Sequence, residues 1–199
     1  MKVHSDTNKL SLGELVPNFE GESQLGRVKL SDYRGRWLVF FSYPADFTPV
    51  CSSEVVAFSR IYKQLREHDC ELVGLSTDSV ATHRPWLESI ETWMKESIFF
   101  PIIGDPYGYI ARQYGMIMPD LNSTQASRST FIIDPKQVLQ VSIYYPLPVG
   151  RNTEEILRLI QALTAVSQQG KATPANWQAG DKLISLSVSS KAPAHSSHK

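Results

Sequence analysis

The sequence predicts an α/β fold, with a central sheet covered on both faces by helices. Two observations carry that expectation: short apolar runs rich in β-forming residues recur along the chain, and longer segments with apolar residues at helical spacing lie between them. Arg36-Trp-Leu-Val-Phe-Phe-Ser42 is the first such run, and its unbroken apolar character predicts a central strand. From Cys51 to Glu67, Val55, Val56, Phe58, Ile61, Tyr62 and Leu65 follow helical spacing, while Lys63, Arg66 and Glu67 occupy the other face. Residues 71–76 predict the next central strand, and 81–96 a second helix. Residues 129–133 and 138–145 predict two more strands. Asp134-Pro135 ends the first and Lys136-Gln137 turns the chain, so 129–145 reads as a β-hairpin. A third helix is expected over 153–165, where Ile156, Leu157, Leu159, Ile160 and Leu163 recur at helical intervals. From Ser185 the composition turns to serine with too few large apolar groups to pack, so 185–199 is expected to be a disordered tail.

Composition narrows the function. The 199-residue chain carries 20 Lys+Arg against 20 Asp+Glu, which removes the long-range field used to hold phosphates. Nucleic acid and membrane surfaces are therefore not expected partners. A chain of this length buries roughly 70% of its unfolded surface, enough for a core without staples. The start has no apolar run of signal-peptide length, and no later stretch approaches the ~20 apolar residues of a membrane span. The expected location is the cytoplasm. Two cysteines cannot build a secreted disulfide framework, which leaves a buried thiol or a reactive one. The five histidines, His4, His68, His83, His195 and His198, show no zinc-site spacing, and no metal is expected. With no Walker A pattern and no GxGxxG, a nucleotide has no warrant either.

The segment Tyr43-Pro-Ala-Asp-Phe-Thr-Pro-Val-Cys-Ser-Ser-Glu54 joins the first strand to the first helix and puts a lone cysteine at the helix start. Free backbone N–H groups and the positive end of the helix dipole there favour a thiolate, the form that attacks. Thr48 can direct its hydroxyl at an oxygen substrate or at the sulfur. Glu54 can accept hydrogen bonds near the helix start or hold an arginine. Trp86 can wall the site, although a large aromatic on an amphipathic helix is more often core.

Pro44-x-x-x-Thr48-x-x-Cys51 resembles the active-site signature of the peroxiredoxins, and Asp46-Phe-Thr-Pro-Val-Cys-Ser-Ser-Glu54 is similar to the form common in their one-cysteine branch. The likeness runs along most of the chain. Leu12-Gly-Glu-Leu-Val-Pro-Asn-Phe19, Gly74-Leu-Ser-Thr-Asp-Ser-Val80 and Phe131-Ile-Ile-Asp-Pro135 resemble the family's successive segments. So do Tyr145-Pro-Leu-Pro-Val-Gly-Arg-Asn152 and Ala172-Thr-Pro-Ala-Asn-Trp-Gln-Ala-Gly-Asp181. The resemblance implies a thioredoxin-like fold over 1–165, a C-terminal peroxiredoxin segment over 166–184, and a thiol peroxidase that reduces hydrogen peroxide and organic hydroperoxides without a cofactor. Carried onto this chain, it makes Cys51 the peroxidatic nucleophile, Thr48 a hydrogen-bond partner of the peroxide and Pro44 a shield against water. Arg128, in the pattern Arg-x-x-Phe131, matches the arginine that stabilises the thiolate and the developing oxyanion. Glu54, Arg151 and Tyr43 are assigned supporting roles. The implied partners are a hydroperoxide, an external thiol reductant such as thioredoxin, glutaredoxin or glutathione, and further copies of the chain in a homodimer or ring of dimers.

Two departures bear on the branch. Tyr43 stands where one-cysteine members usually have His, as in typical two-cysteine members, yet Thr173 stands where those members carry the resolving cysteine. Cys70 as resolving thiol is the alternative. If 51–66 is helical, however, the two cysteines sit near opposite ends of an element roughly 22 Å long, against the ~7 Å between Cα atoms that a disulfide allows. A disulfide oxidoreductase would need Cys-x-x-Cys, and the fourth position is Glu54. A redox-switched sensor or chaperone is the remaining alternative.

Overall fold

The structure, a computed structural model, describes residues 10–117 and 124–186. The chain divides into two compact units, Met1–Ile160 and Gln161–Lys199. In the first, seven strands form one mixed sheet: β1 (Glu20–Ser23), β2 (Gly26–Lys29), β3 (Trp37–Ser42), β4 (Cys70–Ser76), β5 (Ile102–Gly104), β6 (Arg128–Ile133) and β7 (Leu139–Tyr145). Their spatial order is β2-β1-β5-β4-β3-β6-β7. Helix α1 (Pro49–Glu67) crosses from β3 to β4, α2 (Val80–Met94) from β4 to β5, and α3 (Tyr109–Gln113) follows β5. Helix α4 (Thr153–Gln169) begins in the first unit and ends in the second. This is the expected α/β, thioredoxin-like architecture, and the predicted strands and helices appear within a few residues of their expected limits.

Strand β3 is buried along its whole length, as its unbroken apolar run requires. It pairs parallel with β4, Trp37 facing Cys70, and antiparallel with β6. The expected hairpin is β6–β7. Its turn is closed by Asp134, whose Oδ1 accepts the N–H groups of Lys136 (2.8 Å) and Val138 (2.9 Å), with Gln137 at φ 66°.

Side chains of β3 alternate between two aromatic layers. Leu38 and Phe40 join Phe19, Val73, Leu75, Tyr114, Phe131 and the α3 residues Ile110 and Ala111 on one face. On the other, Phe41 stacks on Phe58 of α1 at 4.1 Å between ring centres and meets Phe100 edge-on at 5.9 Å. Each such side chain contributes about 1.5–3 kcal/mol by leaving water. The two layers fix β3, and therefore the loop that leaves its C-terminal end. Gly104 closes the same region from β5: a Cβ there would lie 2.7 Å from the backbone N of Val80, so the start of α2 is pressed against the sheet.

In the second unit, Ala172 and Ile184 exchange both backbone hydrogen bonds, at 2.9 and 2.8 Å, and the Trp177 indole N–H donates to Asp181 O at 3.0 Å. Residues 187–199 of the expected tail, His195 and His198 among them, lie outside the described residues, as does His4. Strands β1, β2 and β5 and helix α3, three to five residues each, are additions to the sequence reading, too short to show a period. Among the described residues, no helix is long and apolar enough to cross a membrane.

Candidate active site

Strand β3 stops at Ser42, residues 43–48 form a loop, and α1 starts at Pro49, whose fixed φ suits a first helical position. Thr48 holds the N-cap position in extended conformation, and the N–H of Ser52 makes the first intrahelical bond, to Thr48 O at 3.0 Å. Cys51 thus sits in the first turn, where backbone N–H groups point outward without helical partners. Its side chain is completely buried.

Three charged side chains, all buried, surround it. Arg128, at the start of β6, donates from Nη1 to Cys51 Sγ at 3.4 Å and to Glu54 Oε2 at 2.6 Å. Its Nε donates to Leu147 O at 2.7 Å, which fixes the plane of the guanidinium. Glu54, one helical turn after Cys51, also takes Arg151 in a two-point contact, Nε to Oε1 and Nη2 to Oε2, both 2.8 Å. The backbone N–H of Arg151 adds a further bond to Oε1 at 2.9 Å. Nη1 of Arg151 donates to Ser42 O (2.9 Å) and Ser129 O (2.8 Å), and its guanidinium lies over the rings of Phe41 and Phe58 at 5.1 and 5.3 Å. Burial works against the Arg151 charge and lowers its pKa, with Glu54 opposing. Glu54 therefore ties α1 to β6 and to the chain after β7, and Arg128 comes to the sulfur with its position already set.

The remaining expected residues fall around this cluster. Pro44 is buried in the loop. The Thr48 hydroxyl donates to Ala45 O at 3.0 Å, leaving its oxygen lone pairs to accept. The Tyr43 hydroxyl donates to Asp46 Oδ1 at 2.8 Å, and burial together with Asp46 raises its pKa well above the ordinary tyrosine value. Trp86 on α2 is buried 5.3 Å from the Tyr43 ring and donates to Ser52 Oγ at 3.0 Å. Cys70 is at the other end of α1, at the start of β4, a free buried thiol with Sγ donating to Glu71 O at 3.4 Å. Burial pushes its pKa well up.

Asp46 and His83 were not singled out from the sequence. His83 sits one turn before Trp86 on the buried face of α2, a spacing that marks it as inward-facing, and its Nδ1 lies 2.7 Å from Asp46 Oδ2. Among the described residues, no group of three or more His, Cys, Asp or Glu side chains is arranged to hold a metal ion.

A single sulfur, capped by a helix start and faced by a guanidinium, is chemistry for a thiol enzyme that works by nucleophilic attack. Known proteins agree with that class. The sequence pattern of the AhpC/TSA family matches residues 12–142, and that of the C-terminal domain of 1-Cys peroxiredoxin matches 162–192. Peroxiredoxin 2 of Caldanaerobacter subterraneus subsp. tengcongensis is 47% identical over 87% of this chain and 78% of its own. Peroxiredoxin 2 of Picrophilus torridus is 45% identical over 87% and 85%. Among solved structures, a cysteine-to-serine mutant of the peroxiredoxin 6 of Arenicola marina superposes with a TM-score of 0.83 at 37% identity, over 89% of this chain and 84% of that one. A yeast mitochondrial 1-Cys peroxiredoxin gives 0.82 at 38%, over 88% and 86%. The chain belongs to the AhpC/TSA family and is a peroxiredoxin, a thiol peroxidase of the one-cysteine type.

Proposed function

We propose that Cys51 is the peroxidatic residue, that it reduces hydrogen peroxide and organic hydroperoxides, and that an external thiol recycles it. The observation that carries this reading is the charge balance of the buried cluster. Two guanidinium ions face one carboxylate, so one positive charge is left over beside the sulfur. A thiolate on Cys51 supplies the missing negative charge. The sulfur then attacks the terminal oxygen of the peroxide, the S–O bond forms as the O–O bond breaks, and the leaving oxygen departs as water or alcohol after taking a proton. Cys51 is oxidised by two electrons to the sulfenic acid. Arg128 is the group in reach of both the sulfur and the oxygen bound to it, where charge develops. Thr48, with its lone pairs free to accept, holds the peroxide hydroxyl, and Pro44 keeps water away. Glu54 and Arg151 fix Arg128 rather than touch substrate.

An external thiol then attacks the oxidised sulfur and releases water as a mixed disulfide forms, and a second thiol equivalent frees Cys51 as its own sulfur is oxidised to disulfide. The structure of the yeast 1-Cys relative concerns resolution through glutathione and thioredoxin systems, and we assign this chain a reductant of the same class. Further copies of the chain, as a homodimer or ring of dimers, would cover exposed aromatic rings such as Tyr107 and Tyr109.

The test treats the reduced protein with one equivalent of hydrogen peroxide in the presence of a 1,3-dione sulfenic acid trap, alongside Cys51→Ser and Cys70→Ser. An adduct on Cys51 that persists in Cys70→Ser, without disulfide, is the expected result. A Cys51–Cys70 disulfide would make this a two-cysteine enzyme, and an unmodified Cys51 would overturn the assignment.

A further inference from the structure

We propose that His83 is a positioning residue for the loop over the reactive sulfur: through Asp46 it holds residues 43–48 closed, and it thereby sets how readily Cys51 becomes accessible to anything larger than a peroxide. The inference rests on the reading of Cys51 as the reacting sulfur, and it begins from the bonds of Asp46. This buried carboxylate divides its oxygens between Tyr43 OH (2.8 Å) and His83 Nδ1 (2.7 Å). The backbone N–H of Asp46 donates to Asp78 Oδ2 at 2.7 Å, and Asp78 is itself held by its N–H on Ser76 Oγ at 3.0 Å. Groups from the first residue of the loop, the turn after β4 and the buried face of α2 thus converge on Asp46.

Two features mark His83 as the working member of that set. First, the short contact to a carboxylate oxygen assigns the ring proton to Nδ1, and Nε2 is then a buried polar atom with no hydrogen-bond partner. An apolar side chain would fill the same completely buried position without that orphaned nitrogen, so the imidazole is kept for what Nδ1 does. Second, the loop does not hold its shape by local preference. Phe47, next to Asp46, is at φ 57° and is 56% exposed, a strained backbone for a bulky residue. Strain at one residue persists where neighbouring contacts over-determine it, and the contacts here are those of Asp46. Trp86, three residues on from His83, meets the Tyr43 ring and Ser52, so α2 grips the loop at both flanks.

The two halves of the catalytic cycle ask opposite things of this loop. Attack on peroxide needs Thr48 and Pro44 in place over the sulfur. Reduction by a bulky thiol needs a completely buried Cys51 to come into reach. His83 sets the balance between them.

The experiment measures the rate at which N-ethylmaleimide alkylates each cysteine of the reduced, full-length protein, resolved by peptide mass spectrometry. Cys70, buried in the sheet, reports global opening. His83→Ala is expected to raise the Cys51 rate at least fivefold with Cys70 unchanged. His83→Asn, whose amide nitrogen takes the place of Nδ1, is expected to return to within twofold of the wild type. Tyr43→Phe, which keeps the ring and removes one bond to Asp46, is expected to raise Cys51 alkylation at least twofold, and it carries the test should His83→Ala fail to fold. A Cys51 rate that does not move, a parallel rise at Cys70, or no rescue by Asn would each overturn the proposal. The readout needs no turnover, whereas failure of the peroxidase assignment would appear in the wild type as an untrapped Cys51.

Discussion

Helix α1 lies between two cysteines, Cys51 in its first turn and Cys70 just past its end, and near each end a buried glutamate holds two arginines. At the start, Glu54 takes Arg128 and Arg151, whose side chains are 4% and 0% exposed. At the far end, Glu71 takes Arg36 and Arg66, 38% and 52% exposed, with Tyr62 OH donating at 3.1 Å. The residue types are the same and the physics is not. Around Glu71 the guanidinium ions remain in contact with water, which screens them, so the cluster is an ordinary surface network. Cys70 precedes Glu71 on a strand, so its side chain points to the opposite face, where burial and the Glu71 charge both hold it as a thiol. Around Glu54 the guanidinium ions are removed from water and one of them touches sulfur. Burial turns a common ion-pair arrangement into a device that places positive charge at a chosen atom.

The largest difference expected between the two ends is in stability. Glu54→Gln leaves two buried guanidinium ions without their carboxylate and should cost about 3–5 kcal/mol. Glu71→Gln leaves two arginines that can turn to solvent, and should cost about 1 kcal/mol or less. Urea unfolding of both variants measures the contrast. Equal costs would mean that burial is not what separates the clusters.

Next in size is the effect on chemistry. Arg128→Met removes the donor at Sγ and should slow oxidation of Cys51 by hydrogen peroxide about 10²–10³-fold, the usual result of losing one donor aimed at developing charge. Arg36→Met, the matching change at the other end, should stay within twofold. Competition kinetics against a reference peroxidase read both rates, and a small effect at Arg128 would break the assignment.

The sequence made much of this legible and some of it not. Strand β3 and helix α1 are readable because long apolar runs and helical periods are strong signals, and the start of that helix carries Cys51. The pairing of Arg128 with Glu54 spans 74 residues and depends on β6 lying beside β3, a register no local pattern contains. Motif resemblance alone supplied Arg128. From the sequence Glu54 reads as able to hold an arginine, but its hold on two depends on where β7 leads the chain to Arg151. His83 could be read as inward-facing from its spacing to Trp86, yet its partner Asp46 lies in a loop, where no periodicity reports which way a side chain turns.

A third contrast concerns pH. The folded protein holds the Cys70 proton to well above the ordinary thiol range because burial penalises the thiolate, whereas the unfolded chain releases it near pH 8.5 to 9. Above that point the unfolded state binds fewer protons, so stability falls as pH rises, by up to about 1.4 kcal/mol per unit from this one group. Tyr33, Tyr43, Tyr62, Tyr114 and Tyr144, all raised first by burial, add the same trend from about pH 10. Cys70→Ala should therefore lose about 1–2 kcal/mol less than the wild type between pH 8.5 and 10, a gap that paired urea titrations measure. Identical slopes would show that Cys70 ionises as freely in the folded protein as in the unfolded one.

The smallest effect expected is on the enzyme itself. Cys51 lies in the first turn of α1 and Cys70 beyond its last, so about 22 Å of helix separates the first turn from the last. A sulfur at that distance adds no charge or hydrogen bond to the surroundings of Cys51, and the intervening helix is anchored along its length by Val55, Phe58, Ile61 and Leu65 in the core. Cys70→Ala should keep the rate of Cys51 oxidation within twofold of the wild type, and it should leave the rate of recycling by an external thiol unchanged as well. Loss of recycling with oxidation intact would mean that α1 unwinds far enough in the cycle to bring its two ends together, and the contrast between a working cysteine and a packing cysteine would then fail.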